Sequence, residues 1–228
     1  MLIGGFQKMT MLDYPTKIAC TIFTHGCNFR CPFCHNARLV VREPDLFDEN
    51  EILSYINKRR GVLDGVCISG GEPMLQGDLF DFMKKVKDMG MLIKLDTNGY
   101  FPDKLSDAIN SGLVDYVAMD IKNCKDKYAL TAGLDNMDIS KIEKSVDILM
   151  SGKIDFEFRT TVTRELHSPA DFVKIGEWIK GNEKYYIQSF IDSGELIENS
   201  SSPLDMQGLE ALKEAVLPYV PNTLLRGV

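Results

Sequence analysis

Three cysteines, Cys27, Cys31 and Cys34, lie within eight residues of the chain. They form a C-x3-C-x2-C pattern directly after residues 18–24, an apolar run that predicts a buried strand. Three thiolates on a cubane of four irons leave one iron without a protein ligand, whereas clusters that only carry electrons usually have four cysteines. A substrate can bind the metal at such an open position, as it does in catalytic zinc sites.

Two other uses of this loop compete with an iron–sulfur cluster. A structural zinc site needs a fourth ligand, which His25 or His35 could supply. A redox disulfide could use Cys31 and Cys34, which form a C-x-x-C pattern. The number and spacing of the thiols favour the iron–sulfur cluster over both.

The composition excludes several classes of protein. A chain of 228 residues, 44% apolar and 26% charged, is typical of one globular domain, which we expect to span residues 1–228. The net charge of −7 argues against general nucleic-acid binding, because phosphate contacts need a basic surface. We expect no membrane span and no signal peptide, because the apolar runs are short and the N-terminus lacks a leader pattern. Six cysteines without a secretory signal indicate the reducing cytoplasm.

Strand and helix patterns alternate along the chain. The predicted strands are residues 18–24, 62–68, 92–95, 116–119, 154–162 and 184–190. The predicted helices are residues 48–60, 79–89, 104–110, 139–150, 171–179 and 204–217. Six strand–helix pairs imply an α/β fold with a parallel sheet and helices outside it. At this length we expect a partial (β/α)6 TIM-like barrel rather than a complete eightfold one.

Four distinctive segments follow the first four predicted strands. They are the cysteine loop and residues 69–73, 96–99 and 119–122, which read SGGEP, DTNG and MDIK. Each segment alone could be an ordinary turn or a solvated strand end. In parallel α/β folds, however, functional groups gather at the carboxyl ends of the strands, so the succession favours one shared site.

The cysteine loop resembles the cluster loop of radical S-adenosylmethionine (SAM) enzymes. It is most similar to the loop of glycyl-radical enzyme activating enzymes, which also ends in Cys-His-Asn. Residues 5–15 and 225–228 resemble the barrel-type activating proteins of anaerobic ribonucleoside-triphosphate reductase, so the resemblance spans nearly the whole chain. It implies a radical SAM barrel, a 4Fe-4S cluster on Cys27, Cys31 and Cys34, and SAM as the second cofactor.

The resemblance also implies which residues bind SAM. Gly70, Gly71 and Glu72 match a motif that receives the SAM ammonium, and glycine carbonyls can approach a ligand closely. Lys122 matches a lysine that pairs with the SAM carboxylate. The other implied contacts are Phe33, His35 and Asn36 beside the adenosyl group, Arg159 at the fifth predicted strand, and Gln188 or Phe190 at the sixth, where relatives have a histidine.

A monovalent cation is a further expectation, from resemblance to pyruvate formate-lyase activating enzymes. Asp96 and Asp120 would supply hard oxygen ligands, helped by the carbonyls of Thr97 and Ala118. Local hydrogen bonding of the two carboxylates is the alternative. His167 matches no residue of the family motif, so the resemblance gives it no role.

The resemblance implies a mechanism and partners. A reduced cluster cleaves SAM to methionine and a 5′-deoxyadenosyl radical, which takes a hydrogen from a glycine of a partner enzyme. Anaerobic ribonucleoside-triphosphate reductase is the expected partner, with flavodoxin or ferredoxin as electron donor. Two alternatives stay open. One is a radical SAM enzyme that acts on a small molecule, like 7-carboxy-7-deazaguanine synthase. The other is a non-enzymatic module that binds zinc or an iron–sulfur cluster.

Replacing Cys27, Cys31 or Cys34 by Ala should abolish the cluster and all SAM cleavage, because each thiolate holds one iron. Iron and sulfide analysis after anaerobic reconstitution measures the first effect, and release of 5′-deoxyadenosine the second. Cys20→Ala and Cys67→Ala are controls, because both thiols lie in strand-like apolar runs and should cost only about 1 kcal/mol of stability. A Cys27→Ala protein that kept a full cluster and cleaved SAM would contradict the ligand assignment.

Overall fold

The computed structural model describes residues 1–41, 45–192, 194, 196–198 and 200–228. Within these residues eight strands form one sheet, in the same order as in the chain. The strands are β1 (Ile3–Thr10), β2 (Ala19–Thr24), β3 (Gly65–Gly70), β4 (Leu92–Thr97), β5 (Tyr116–Asp120), β6 (Asp155–Val162), β7 (Tyr185–Ser189) and β8 (Leu224–Arg226). The helices are α1 (Ala37–Val41), α2 (Glu49–Lys58), α3 (Leu79–Asp88), α4 (Pro102–Asn110), α5 (Tyr128–Ala132), α6 (Ser140–Met150), α7 (Pro169–Trp178) and α8 (Met206–Val216).

The sheet is an open barrel, which confirms the partial barrel predicted from the sequence. β1 pairs antiparallel with β2, the other neighbouring strands pair in parallel, and β1 and β8 are the two edges among the described residues. All six predicted strand–helix pairs are present, from β2 to α8. The sequence did not predict β1 and β8, because β1 contains two glycines and three exposed residues and β8 has three residues.

The third strand differs most from its prediction. β3 begins at Gly65 rather than at residue 62, and it continues to Gly70. Val62 is half exposed and precedes the strand. The carboxylate of Asp64 accepts a hydrogen bond from the N–H of Ile18 at 2.8 Å, which fixes the start of β3 beside β2. The shift brings Gly70 to the carboxyl end of the strand.

The outward-facing side chains of the parallel strands are apolar. Ile22, Ile68 and Leu95 lie side by side in the register of β2, β3 and β4, and none has exposed surface. Met119 and Phe158 pair in the same way on β5 and β6. Burial of each such side chain contributes about 1.5–3 kcal/mol. No helix in the described part of the chain is long and apolar enough to cross a membrane.

Many of the inward-facing side chains are instead polar or charged. Lys94 pairs in register with Cys67 and Tyr116, so the three side chains share the inner face. Asp120 and Arg159 form another such pair, between β5 and β6. TIM barrels usually fill this space with branched aliphatic residues. A charged interior near the carboxyl ends of the strands therefore indicates a binding site.

Helix α5 braces the cysteine loop. The N–H of Arg30 donates a hydrogen bond to the carbonyl of Ala132 at 2.8 Å, at the end of α5. The next residue, Gly133, has φ +68, and a Cβ atom there would lie 2.1 Å from the Arg30 carbonyl oxygen. Only glycine therefore lets the end of α5 approach the loop this closely.

Gly133→Ala should destabilise the protein more than Gly112→Ala does. Gly112 has nearly the same φ, +69, but open space around its Cβ position, so its replacement costs only the left-handed backbone strain, about 1–2 kcal/mol. At Gly133 the contact with the loop backbone should add about 1–3 kcal/mol. Urea unfolding of the cluster-free proteins measures both losses. Equal losses would show that α5 does not need this approach.

Candidate active site at the carboxyl ends of the strands

A cavity of about 360 Å³ opens at the carboxyl ends of the parallel strands. It collects nearly every cofactor or metal contact predicted from the sequence, although these residues are spread over most of the chain. The predicted residues that line it are Cys27, Cys31, Phe33, Cys34, His35, Asn36, Gly70, Gly71, Asp96, Asp120, Lys122, Arg159, Gln188 and Phe190. Thr97 lines it as well, whereas Glu72 and Ala118 are the predicted contacts that do not.

The cysteine loop forms one wall of the cavity. The N–H of Gly26 donates a hydrogen bond to the carbonyl of Leu39 at 2.8 Å, so α1 closes the loop behind its first cysteine. The N–H of Cys34 donates to the carbonyl of Cys31 at 3.0 Å, which makes a tight turn between the last two. Cys31 is buried, and Cys27 and Cys34 are partly exposed to the cavity. All three thiols therefore face one enclosed space.

Burial keeps these thiols protonated when no metal is bound. It raises the pKa of Cys27 to about 12 and that of Cys31 to about 11, and it raises the pKa of Cys34 as well. Iron must therefore displace protons when it binds, so acid should weaken cluster assembly. No group of three His, Cys, Asp or Glu side chains among the described residues is arranged to hold a single metal ion.

Gly70 and Gly71 bring the end of β3 against the start of the cysteine loop. A Cβ atom on Gly70, where φ is +120, would lie 2.3 Å from the backbone nitrogen of Thr24. One on Gly71 would lie 2.0 Å from the carbonyl oxygen of Gly26. The carbonyl of Gly70 accepts a hydrogen bond from Asn36 Nδ2 at 3.4 Å. Backbone packing therefore requires glycine at both positions, whether or not a ligand approaches them.

Glu72 supports the cavity from behind. It is fully buried, and its carboxylate accepts hydrogen bonds from the N–H of Met74 at 3.0 Å, the hydroxyl of Thr97 at 2.9 Å and the N–H of Asn98 at 2.7 Å. Burial raises its pKa to about 7, although the three donors oppose this. Glu72 therefore ties the end of β3 to the end of β4 and acts on the cavity through Thr97 and Asn98.

Five charged side chains form a connected network, which we call the charged row: Lys94, Asp96, Arg159, Asp120 and Lys122. Asp96 Oδ1 is paired with Lys94 Nζ, and Asp96 Oδ2 accepts from Arg159 Nη1 at 3.3 Å. Arg159 Nε donates to Asp120 Oδ1 at 3.0 Å, and Lys122 Nζ donates to Asp120 Oδ2 at 3.0 Å. None of the five side chains is more than 29% exposed.

The charged row keeps both carboxylates ionised. Burial favours the neutral acid, but the charges of Lys122 and Arg159 outweigh it and hold the pKa of Asp120 at about 2. Burial likewise opposes ionisation of Asp96, and Arg159 and Lys94 keep its pKa below the ordinary value. The same pairing raises the pKa of Lys122 against its own burial. The site therefore presents fixed charges at neutral pH.

His167 supports Lys122 and Phe33 rather than lining the cavity. Its Nδ1 accepts a hydrogen bond from the N–H of Thr163 at 3.1 Å, so the proton lies on Nε2, which donates to the carbonyl of Lys122 at 2.9 Å. Burial lowers its pKa, so the ring is neutral. Its centroid is 6.3 Å from that of Phe33, in an edge-to-face contact. This gives His167 a positioning role that the sequence did not provide.

Sequence reasoning missed several residues of the site. Lys94 had a signal, because it precedes Asp96 by two positions on a strand and must share its face. Asn98 lies in a segment that the sequence singled out, yet no role was assigned; its Nδ2 is 3.9 Å from Cys27 Sγ. Ser69 donates to Asp96 Oδ2 at 3.1 Å, and Phe29 lines the cavity. Ser69 begins the segment 69–73 and Phe29 lies inside the cysteine loop, but sequence reasoning assigned neither residue a role.

The residues fit a thiolate-bound cluster and a zwitterionic cofactor. Three thiols face one cavity, and the N–H of Phe29 donates to Cys27 Sγ at 3.3 Å, a type of hydrogen bond that tunes iron–sulfur clusters. Beside the thiols lie Lys122 and Arg159, which can attract a carboxylate. The polar backbone of Gly70 and Gly71 lies on the same cavity, where a cofactor ammonium would find acceptors.

Comparison with known proteins agrees with this geometry. The family model described as the radical SAM superfamily matches residues 21–174. A protein of Methanocaldococcus jannaschii, named as a candidate glycyl-radical enzyme activating enzyme, is 31% identical over all of this chain and 96% of its own length. The pyruvate formate-lyase-activating enzyme of Staphylococcus epidermidis is 29% identical over 93% of this chain and 92% of its own.

Solved structures show the same fold. SuiB of Streptococcus suis, bound to S-adenosylmethionine, superposes with a TM-score of 0.70 at 14% identity, over 89% of this chain and 48% of its own. The family model, the relatives of nearly equal length and the shared fold lead to one conclusion. The chain is an enzyme of the radical SAM superfamily, whose cofactors are a 4Fe-4S cluster and SAM, and it belongs with the glycyl-radical enzyme activating enzymes.

Proposed function

We propose that this protein uses SAM to generate a glycyl radical on a partner enzyme. The observation that carries the proposal is that Cys27, Cys31 and Cys34 share one cavity with Gly70, Gly71 and the charged row. The partner that we propose is anaerobic ribonucleoside-triphosphate reductase, because residues 5–15 and 225–228 resemble the activating proteins of that enzyme. Relatives that match nearly the full length of the chain are named as activating enzymes, which supports a protein substrate.

Each group of residues has a distinct task in this proposal. Cys27, Cys31 and Cys34 would hold the cluster, and the cluster would supply the electron needed to cleave the sulfonium of SAM. Lys122 attracts the SAM carboxylate, and Arg159, fixed by Asp96 and Asp120, adds positive charge beside it. The carbonyls of Gly70 and Gly71 accept from the SAM ammonium. Phe33, His35 and Asn36 would contact the adenosyl group, and Gln188 and Phe190 line the same cavity.

Radical chemistry needs orientation and exclusion of water more than an acid or a base. Phe29, Phe33 and Phe190 give the cavity apolar walls, and all three are buried. Ile191 also lines the cavity but is 60% exposed, so it marks a side from which a partner segment can enter. These features support a radical formed inside the barrel and used on a segment of another protein.

The proposal also covers the electron donor, the cellular location and the domain organisation. Flavodoxin or ferredoxin is the proposed electron donor, and the cytoplasm the proposed location, because the cluster thiols must stay reduced. The single sheet that contains all eight strands supports one domain over residues 1–228. A small-molecule substrate is the second candidate function, because the polar and charged side chains that line the cavity would also suit a small polar ligand.

The contacts of Asp96 and Asp120 give no support to the monovalent cation that the resemblance led us to expect there. Every oxygen of the two carboxylates already has a cationic partner in the charged row. A metal ion would have to share an oxygen with a lysine or the arginine, or displace one of them, so the row does not favour a metal ion as it stands. No step of the proposed reaction depends on it.

Lys122→Ala should keep the brown cluster but weaken SAM binding about 10- to 150-fold, because a hydrogen bond to a charged group contributes about 1.5–3 kcal/mol. Titration of SAM against the reconstituted protein, followed by electron paramagnetic resonance, measures the affinity. Lys125→Ala is the matched control, because Lys125 pairs with Glu143 outside the cavity. Equal SAM affinity in both variants would remove Lys122 from the site.

The substrate is tested by mixing the reduced protein and SAM with anaerobic ribonucleotide reductase in the absence of oxygen. We expect electron paramagnetic resonance to show a glycyl doublet that disappears when the partner's radical glycine is replaced by alanine. The same mixture without SAM should stay silent. SAM cleavage without a glycyl radical on any glycyl-radical enzyme of the same organism would favour a small-molecule substrate instead.

A further inference from the structure

Lys94 is a buried cation that the activity described so far does not use. It lies on β4, is 1% exposed, and does not line the cavity. Its Nζ contacts Asp96 Oδ1 and lies 3.9 Å from Cys67 Sγ. A lysine is rarely buried unless its charge is paired. Among the described residues its ionised partner is Asp96, so the two residues form a buried ion pair that faces into the barrel.

Each oxygen of the two carboxylates in the charged row already has at least one ionic or hydrogen-bonding partner. Asp96 Oδ1 is held by Lys94, and Asp96 Oδ2 accepts from Ser69 Oγ at 3.1 Å and from Arg159 at 3.3 Å. Asp120 Oδ1 accepts from Arg159 and Oδ2 from Lys122, both at 3.0 Å. A metal ion would need at least one of these oxygens, and would place a further charge beside cations that are already paired.

The balance of charge gives the same result. Lys94, Arg159 and Lys122 supply three positive charges, and Asp96 and Asp120 supply two negative ones, which leaves one positive charge. One positive charge matches the carboxylate of one amino-acid ligand. A bound monovalent cation would leave a second positive charge in a buried place without a partner, and uncompensated buried charge is costly.

We propose that Lys94 and Arg159 take the place of a monovalent metal ion, so that the enzyme binds SAM without potassium or sodium. Lys94 is a positioning residue in this scheme. It holds one oxygen of Asp96 and leaves the other to Arg159, which then bridges to Asp120 beside Lys122. The identity of the ligand as SAM rests on the proposed function, whereas the exclusion of a metal ion concerns the chain alone.

The wild-type protein is tested in potassium, sodium and tetramethylammonium chloride at matched ionic strength. We expect the SAM affinity of the reconstituted enzyme to differ by less than about twofold among the three salts. The melting temperature of the cluster-free protein should likewise not depend on potassium. An affinity about tenfold higher in potassium, or a potassium-dependent melting temperature, would overturn the proposal.

Lys94→Met supplies the complementary test, because methionine keeps the length of the side chain and removes its charge. This variant should bind SAM about tenfold more weakly in tetramethylammonium, and potassium or ammonium should restore the affinity by filling the vacated place. Potassium should also raise the melting temperature of its cluster-free form. A folded Lys94→Met protein that shows no dependence on these ions would contradict the proposal.

Lys87→Met is the matched control, because Lys87 pairs with Asp115 at 2.8 Å, outside the cavity, and is partly exposed. It should keep wild-type SAM affinity in all three salts. If Lys94→Met does not fold, the wild-type measurements decide alone. A wild-type enzyme that bound SAM in no salt would refute the proposed function, while the melting temperature of the cluster-free protein would still test the exclusion of a metal ion.

Discussion

The backbone contact between Gly70–Gly71 and residues 24–26 fixes the position of the whole site. The N–H of Gly71 donates to the carbonyl of Thr24 at 2.9 Å, and the N–H of Glu72 to that of Gly26 at 2.8 Å. A side chain on either glycine would occupy the space of this backbone. The contact places the first cysteine beside the end of β3, so the loop reaches over the barrel. The cluster position therefore depends on two residues that have no side chains.

Because the sheet has one apolar face and one polar face, the protein can be stable although its barrel interior is charged. Apolar side chains such as Ile68 and Phe158 bury the outer face under the helices and provide the stability. The inner face can then hold Asp96, Asp120 and their cationic partners, each paired through hydrogen bonds. Because these charges are fixed before a ligand arrives, binding of a carboxylate requires little reorganisation.

Much of this site could be predicted from the sequence because its signals are local. The cysteine spacing, residues 69–73 and Lys122 each follow a strand, and a general rule of parallel sheets brings strand ends together. The role of Lys94 was missed because alternation shows which residues share a face but not whether that face encloses a cavity. The sequence predicted Glu72 as a SAM contact and did not reveal its hydrogen bonds. Its partners Thr97 and Asn98 lie 25 and 26 residues away, and no local pattern links such distant residues.

The proposed function requires SAM to occupy the cavity with its amino and carboxylate groups beside Gly70, Gly71 and Lys122, close to the open iron. Electron–nuclear double resonance on the reduced protein tests it most directly, with SAM labelled by ¹⁵N in the amino group and ¹⁷O in the carboxylate. The account predicts couplings of both labels to the cluster, and their loss in Lys122→Ala at SAM concentrations that saturate the wild type. Tight SAM binding without coupling from either label would contradict it, because SAM would then lie away from the three-cysteine loop.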